Sequence, residues 1–528
     1  MKYALAYDIG TTGVKTCLFE IDKTIKLIAD AIEGYELYIL PDGGAEQDPN
    51  EWWAAMCKTT KELFEKTDVK PEQVDGISFC SQAQGLVLVD KEGLPVRRAM
   101  SYMDQRARKE RKELMAHGIQ IAGASIPKLL ISLQKTGAVA ASVKDPVYKY
   151  NWVRNNEPDV FEKTFKWLDV KEALIARMTG KFIMTEDSAF GTLLYDIHKK
   201  CWSQEICKML RVDMRHLAKI IKSSDAVGGL TKKAADELGL KEGTTVFGGG
   251  MDASLIGVGA GSVKKNDTHV YMGTSGWVST VVDKSIVDAS AMIAAVVGAQ
   301  PGFYNYFAEL ETAGKCLEWV KNHLALDEIG IYLKKTDVSE DMESEYTNLY
   351  QYLSSVIEKV PAGSDGVLFT PWLHGNRCPF EDPNARGMFY NLSIETGKSE
   401  MIRAVVEGVC LHMRWMLETQ EKKTKTSDTI RFVGGGALND STSQILADCI
   451  GKKVETVASP QNVGSVGAAV VVAVGLGVID SIEDAGKLIE AEKTFIPNKD
   501  NKPVYDKMFA AYKELYAANK KIFKMLNS

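Results

Sequence analysis

Asp252 is the single charged residue in the stretch Thr244 to Gly261, TTVFGGGMDASLIGVGAG. Thr245-Val246-Phe247 reads as a short buried strand. Gly248 to Gly250 then strip the turn of side chains, so that backbone or ligand can approach closely. The small and apolar residues after Asp252 read as a helix. The carboxylate is thereby expected at a strand-to-helix corner, near the positive end of a helix dipole and ionised at neutral pH. Open α/β sheets bind ligands at the ends of their strands, and an acid held there can take a proton from a substrate hydroxyl. The competing reading is a plain helix cap, a position that Asp favours.

Two further stretches could hold phosphate. Lys2 to Ile21 reads as a β-hairpin whose turn is Gly10-Thr11-Thr12-Gly13. His269 to Val282 repeats the arrangement around Gly273-Thr274-Ser275-Gly276. Converging N–H groups of such a turn form a nest for phosphate oxygens, with the hydroxyls as extra donors. Asp8, at the mouth of the first turn, suits a Mg²⁺ or a metal-bound water; its alternative is an exposed Asp on a tight hairpin. No G-x-G-x-x-G opens a helix here. Gly397-Lys398-Ser399 has the tail of a P-loop, but Leu392 stands where its first glycine must be.

A third glycine corner, Gly434-Gly435-Gly436, lies between a strand from Ile430 and a helix. Its bare backbone suits the flat face of adenine, or simply a tight turn. Gln82-Ala83-Gln84-Gly85 and Tyr102-Met103-Asp104-Gln105-Arg106 bring amides, an acid, a guanidinium and an aromatic into loops, the mixture that grips polyols. The same groups could instead satisfy loop backbone.

Positioning these groups needs more than one core. The chain has 528 residues, which predicts at least two domains. The repeated hairpin suggests two related halves, residues 1–262 and 263–528. A nucleotide would lie in the cleft between them. Helices are predicted from Asp48-Pro49, over Glu309 to Val320 with Ala313-Gly314 as a flat spot, and over Ser399 to Glu421. The apolar run Val463 to Ile479 reads as a helix buried on all sides and not as a membrane span. In the last helix Tyr505, Phe509, Tyr512, Tyr516 and Phe523 form a docking stripe.

The net charge of −6, with no basic block, speaks against nucleic acid. Nine scattered cysteines fit a reduced, cytoplasmic chain better than a disulfide or zinc framework. The segment before Asp8 is too short for a signal-peptide core.

In these residues the chain resembles the FGGY family of carbohydrate kinases, and within it the xylulokinases. The carriers are Asp8 to Thr12; Gln82 to Asp90 with Asp104-Gln105-Arg106; Gly250 to Ala253; Gly273 to Gly276; Asp382 to Gly387; and Gly434 to Ala437 with Gln444 to Asp448. The resemblance implies an α/β fold of two ribonuclease-H-like domains of the actin and hexokinase type, closing over Mg-ATP and a small sugar or polyol. It implies Asp252 as catalytic base and Asp8 as the metal residue. Gly10, Thr11, Thr12, Gly273, Thr274, Ser275, Gly314, Gly435, Gly436 and Asn439 would bind ATP. Gln82, Ala83, Gln84, Gly85, Asp104, Arg106 and Asp252 would face the sugar. The expected reaction is phosphorylation of a terminal hydroxyl of a xylulose-like ketose or a sugar alcohol. Ribulose, gluconate, glycerol or erythritol are alternatives, as is a non-catalytic actin-like nucleotide switch. The assembly expected is a homodimer.

Three positions depart from the xylulokinase pattern. Ala83-Gln84-Gly85 replaces Met-His-Gly, Tyr102 replaces a Trp, and Asn462 stands where a Glu is common. The first two bear on the sugar; the third leaves the chemistry untouched.

Overall fold

The computed structural model describes residues 1–116, 118–121, 124–324 and 354–528. Its first sheet begins with the predicted hairpin, β1 (Lys2–Ile9) and β2 (Gly13–Ile21), followed by β3 (Ile25–Gly34). The free edge of β1 pairs in parallel with β4 (Gly76–Ser81). Beyond it come β6 (Thr245–Phe247) and β5 (Ala226–Gly229), giving the order β5-β6-β4-β1-β2-β3. A two-residue strand, β7 (Gly250–Met251), pairs with the last residues of β4.

The second sheet follows the same plan. Its hairpin is β8 (Thr268–Met272) and β9 (Gly276–Val282), and the free edge of β8 again takes a parallel neighbour, β13 (Thr429–Val433). With β10 (Val287–Asp288), β11 (Ile293–Val297), β12 (Tyr304–Leu310), β14 (Lys453–Val457) and β15 (Ala491–Phe495), the order is β10-β11-β12-β9-β8-β13-β14-β15. A hairpin that opens each sheet and is then flanked in parallel is the repeat that the two glycine turns announced.

Both faces of β1 are covered, so Ala4 to Tyr7 are fully buried. Leu5 and Tyr7 pack in one core with Trp52 and Met56 of α1 (Pro49–Glu65), a helix capped by Asp48. Ala4 and Ala6 face α9 (Val463–Gly475), which is buried nearly throughout, as its composition predicts. This helix follows β14 in the chain yet packs on the first sheet and on α5 (Asp252–Gly259). Two glycines let α5 and α9 approach. A Cβ at Gly259 would stand 1.9 Å from the Val463 carbonyl, and one at Gly467 would stand 2.2 Å from the Leu255 carbonyl. Gly467→Ala therefore sets two effects against each other. Helix propensity favours Ala by about 1 kcal/mol, while overpacking costs about 1–3 kcal/mol and occasionally more. The obstacle is backbone and cannot swing aside, so the variant is expected to be destabilised, as a lower urea midpoint.

The final helix α10 (Lys502–Asn527) buries Tyr505, Phe509, Tyr512 and Phe523 against the body, with Tyr516 partly covered, as its stripe predicts. It docks on α7 (Lys398–Glu421), where Tyr505 donates to Glu407 at 2.8 Å and Tyr512 meets His412 at 2.9 Å. One expected element is wrong. Glu309 and Leu310 end strand β12, and the helix, α6 (Gly314–His323), starts only at Gly314. Seven residues of β12 are held by the ladder to β9, which overrides the helical reading of ELETAG.

Candidate active site

Asp8, Cys80 and Gly250 lie side by side in register at the carboxyl ends of β1, β4 and β7. Asp252 follows two residues later. The topology thus brings both expected carboxylates to one edge of the first sheet, with backbones roughly 10 Å apart for strands spaced near 4.8 Å. Asp252 is not the helix cap. Met251 holds that position, and Asp252 opens α5 while accepting the Ala253 N–H at 2.7 Å. Its expected ionisation also needs correction. Burial, opposed by the Ala253 N–H and reinforced by the carboxylates of Asp8, Glu309 and Asp169, pushes the Asp252 carboxyl up to about 7. A base with this affinity is poised for proton transfer near neutral pH.

The corner is held from beneath by a residue the sequence reading missed. Asp187, in the short helix α4 (Glu186–Gly191), accepts the Met251 N–H at 2.7 Å and the Ser254 hydroxyl at 2.5 Å. Its other oxygen takes Thr185 and the Ser188 N–H. Nothing in its local pattern, Thr-Glu-Asp-Ser, separates it from an ordinary helix start.

The first glycine turn is tied back through its carbonyls. Gly10 O accepts from Tyr35 Oη and, at 2.9 Å, from Gln82 Nε2. Thr11 O accepts from Gln47 Nε2 at 2.6 Å, and Thr12 O from the Tyr35 N–H at 3.1 Å. The N–H groups of Thr11 and Thr12 take no acceptor among the described residues, which leaves them as a nest. In the second turn, the Thr274 and Ser275 N–H groups are likewise without acceptors among the described residues. Gly273 O accepts the Gly314 N–H at 2.7 Å, and Thr274 O accepts from Ala313 and Lys315 at 3.2 Å. Gly314 is therefore the first residue of a helix seated on the turn, not a flat spot within one. A Cβ on it would lie 2.3 Å from Gly273 O.

Behind the same turn stands the third glycine corner. Cβ atoms at Gly434 and Gly436 would come within 2.6 Å of Met272 O and Met272 Sδ. Gly435 sits between them in a short 3₁₀ turn. Asn439 is engaged otherwise: it caps α8 (Asp440–Ile450), accepting the Thr442 N–H at 2.9 Å and donating to Ser354 Oγ at 2.9 Å. Tyr271 links the two sheets' chemistry. It stacks on Trp277 at 4.0 Å, and burial together with the charges of Asp8 and Asp252 pushes its phenol up.

Burial also pushes the Asp8 carboxyl up, against the pull of Lys15 and a hydrogen bond from Cys80. A Cβ at Gly464 would stand 2.8 Å from its Oδ2, so the glycine keeps that oxygen clear. Lys15 itself is drawn to Gln461 O at 2.9 Å and Asn462 Oδ1 at 2.8 Å. Among the described residues no group of three His, Cys, Asp or Glu could hold a metal. One clear carboxylate oxygen beside a phosphate nest nevertheless fits Mg²⁺, which commonly takes one or two carboxylates and completes its shell with phosphate and water.

The sugar loops divide. Gln82 uses both amide hydrogens within the protein, on Gly10 O and on Gln47 Oε1 at 2.9 Å each, while its buried Oε1 has no partner among the described residues. Asp104 is fully buried. It accepts the Ala45 N–H at 3.0 Å and pairs with Arg106, which also reaches Glu46 at 2.6 Å and lies 4.4 Å over the Trp152 ring. These three side chains stiffen the loops. Ala83 and Gln84 are only partly buried, and the Gln84 amide bonds to no described residue. The Gln84 stem and Met251 Sδ both flank Gly191, which sets Gln84 beside the Asp252 corner. Gly85 packs on Asp169. From the second sheet Glu309 reaches the site, paired with Arg377 at 2.5 Å; the sequence reading flagged neither. No helix among the described residues is long and apolar enough to cross a membrane.

Residues 3–259 match the model of the FGGY family of carbohydrate kinases, N-terminal domain, and residues 269–476 match its C-terminal domain. Across all of this chain and 99% of its own length, a protein of Bacillus subtilis named xylulose kinase is 28% identical. The structure of ligand-bound xylulose kinase from Lactobacillus acidophilus superposes with a TM-score of 0.84 at 26% identity, covering 100% of both chains. Gluconate kinase from the same organism gives 0.83 at 26% identity over 99% of each. With two sheets that each open on a glycine-turned hairpin and with both family models matched in order, the chain belongs to the FGGY family of carbohydrate kinases.

Proposed function

We propose that this kinase transfers the terminal phosphoryl group of ATP to a primary hydroxyl of an open-chain ketopentose or a slightly larger polyhydroxy relative, an aldonate included. The observation that carries it is the placement of Asp252: a buried carboxyl, pushed up to about 7 by that burial, at a strand-end corner near two turns whose N–H groups take no acceptor among the described residues. Asp252 accepts the acceptor's hydroxyl proton on a carboxylate oxygen. The N–H groups of Thr11, Thr12, Thr274 and Ser275 orient phosphate oxygens, and Gly314 and Gly436 let the helix start and the third glycine corner close against the second turn and the strand before it. Phosphoryl transfer needs little more than such positioning and charge stabilisation. Mg²⁺ held by Asp8 and phosphate oxygens would neutralise the developing charge. The division into residues 1–262 and 263–528 is supported by the two sheets, between which the nucleotide would lie. Nine free thiols support a reducing, cytoplasmic setting; a homodimer is proposed on the family alone.

The acceptor class rests on similarity to both xylulose and gluconate kinases and on the loop at Ala83-Gln84. Ala83 opens space where the xylulokinase pattern has Met, and Gln84 offers both a donor and an acceptor. An ADP-release screen over D-xylulose, D-ribulose, gluconate, glycerol and erythritol tests this. The preferred acceptor is expected to be slightly larger or more hydroxylated than xylulose. Gln84→Ala should lower its kcat/KM by about tenfold, the worth of one hydrogen bond, and Ala83→Met by less. D-xylulose winning by tenfold or more, with Gln84→Ala silent, would show that this loop does not read the acceptor.

A further inference from the structure

Gln84 has a left-handed backbone, φ 60°, a conformation that a non-glycine residue keeps only when its surroundings hold it. Here both ends of the residue are gripped by buried charge. Its N–H donates to Asp169 Oδ2 at 2.9 Å, and the next N–H, Gly85, donates to Asp169 Oδ1 at 2.9 Å. Its carbonyl accepts from Lys149 Nζ at 2.8 Å. Asp169 is 3% exposed and caps α3 (Val170–Thr179); Lys149 is 0% exposed in α2 (Pro146–Asn156). The second bond of Lys149, at 2.8 Å, goes to Ser101 O, the residue before Tyr102. One buried ammonium therefore ties the 82–85 loop to the 102–106 loop, while one carboxylate fixes the other side of the same peptide. Nothing in the reaction requires either group to touch ATP or the acceptor. The fold nevertheless buries this opposite-charge pair around a loop residue whose side-chain amide bonds to no described residue.

We propose that Lys149 and Asp169 are positioning residues that hold the Gln84 peptide and so determine which acceptor hydroxyl pattern its amide admits. The proposal rests on the reading of Gln84 as an acceptor contact. Lys149 clamps and Gln84 reads, so the two should be coupled far beyond what separate contributions to stability would give.

The test is a double-mutant cycle on the full chain with Gln84→Ala, Lys149→Met and the pair, assayed with a ketopentose and with gluconate. Lys149→Met is expected to raise acceptor KM by about tenfold, through misplacement of one hydrogen bond. It should also change the ratio of kcat/KM between the two acceptors and leave KM for ATP within about twofold. In the Gln84→Ala background it should do neither. Asp169→Asn, which keeps the shape but places an amide N–H against a backbone N–H, runs the same cycle should Lys149→Met fail to fold, scored on the acceptor ratio alone because Asp169 also acts on Asp252. A silent Gln84→Ala would overturn the reading of that amide, and the proposal with it. An effective Gln84→Ala combined with additive losses, or with an unchanged acceptor ratio, would overturn the clamp alone.

Discussion

Asp252→Ala is expected to lower turnover by about 10²–10⁴-fold, the usual worth of a general base, with ATP affinity nearly unchanged. The wild-type pH profile carries the same information. Because the carboxyl is raised to about 7, kcat/KM should level off above that pH and fall by about tenfold per unit below it. Stability should move the opposite way. The folded chain binds this proton more tightly than the unfolded chain does, so it loses stability as pH rises from the ordinary carboxylate range through about 7. Asp252→Asn removes that loss, and its melting temperature should exceed that of wild type at pH 8 and match it at pH 4. Turnover within a few-fold of wild type, or a profile flat to pH 5, would reject Asp252 as the base.

Gly314→Ala is expected to weaken ATP binding by roughly fivefold to about 150-fold, while acceptor binding measured without nucleotide stays intact. The added methyl would sit 2.3 Å from the Gly273 carbonyl, so α6 and the second hairpin must separate. Overpacking of this kind costs about 1–3 kcal/mol, each 1.4 kcal/mol being a factor of ten in affinity. Gly10→Ala is the control. Its methyl would lie 3.3 Å from Gly13 O, a contact that a small shift relieves, and it should weaken ATP binding far less. Calorimetry giving equal losses at the two positions would mean that general damage, and not the second turn, sets the affinity.

The difference between these two glycines shows where sequence reading stops. Gly10-Thr11-Thr12-Gly13 is legible because a hairpin turn is a local event: the strands alternate and the glycines permit the reversal. The same holds for the corner at Asp252, the helix start at Asp48-Pro49 and the stripe on the last helix, whose signals lie within the segments themselves. Gly314 reads in the sequence as a flat spot within a helix. The pairing of β12 with β9, which ends the strand at Leu310, makes it a helix start pressed on a turn some forty residues earlier in the chain.

The sequence by itself determined the α/β class, the duplicated hairpin, the glycine corners and the candidate base at the strand-to-helix corner, because each follows from steric and hydrophobic rules acting over a few residues or from motifs in a fixed order. Only the tertiary structure decided what those groups are worth. Burial in the folded chain pushes the Asp252 carboxyl up to about 7, and Asp8, Glu309 and Asp169, distant along the chain, add to the rise. Asp104 and the amide hydrogens of Gln82 are taken up by Arg106, Gly10 and Gln47, whereas the Gln84 amide bonds to no described residue. Asp187, Asp169 and Lys149 were invisible, since an ordinary Asp or Lys acquires a role only when folding removes water and supplies its partner. Charge state and hydrogen-bond allegiance depend on distance in space, and no spacing along the chain encodes that distance.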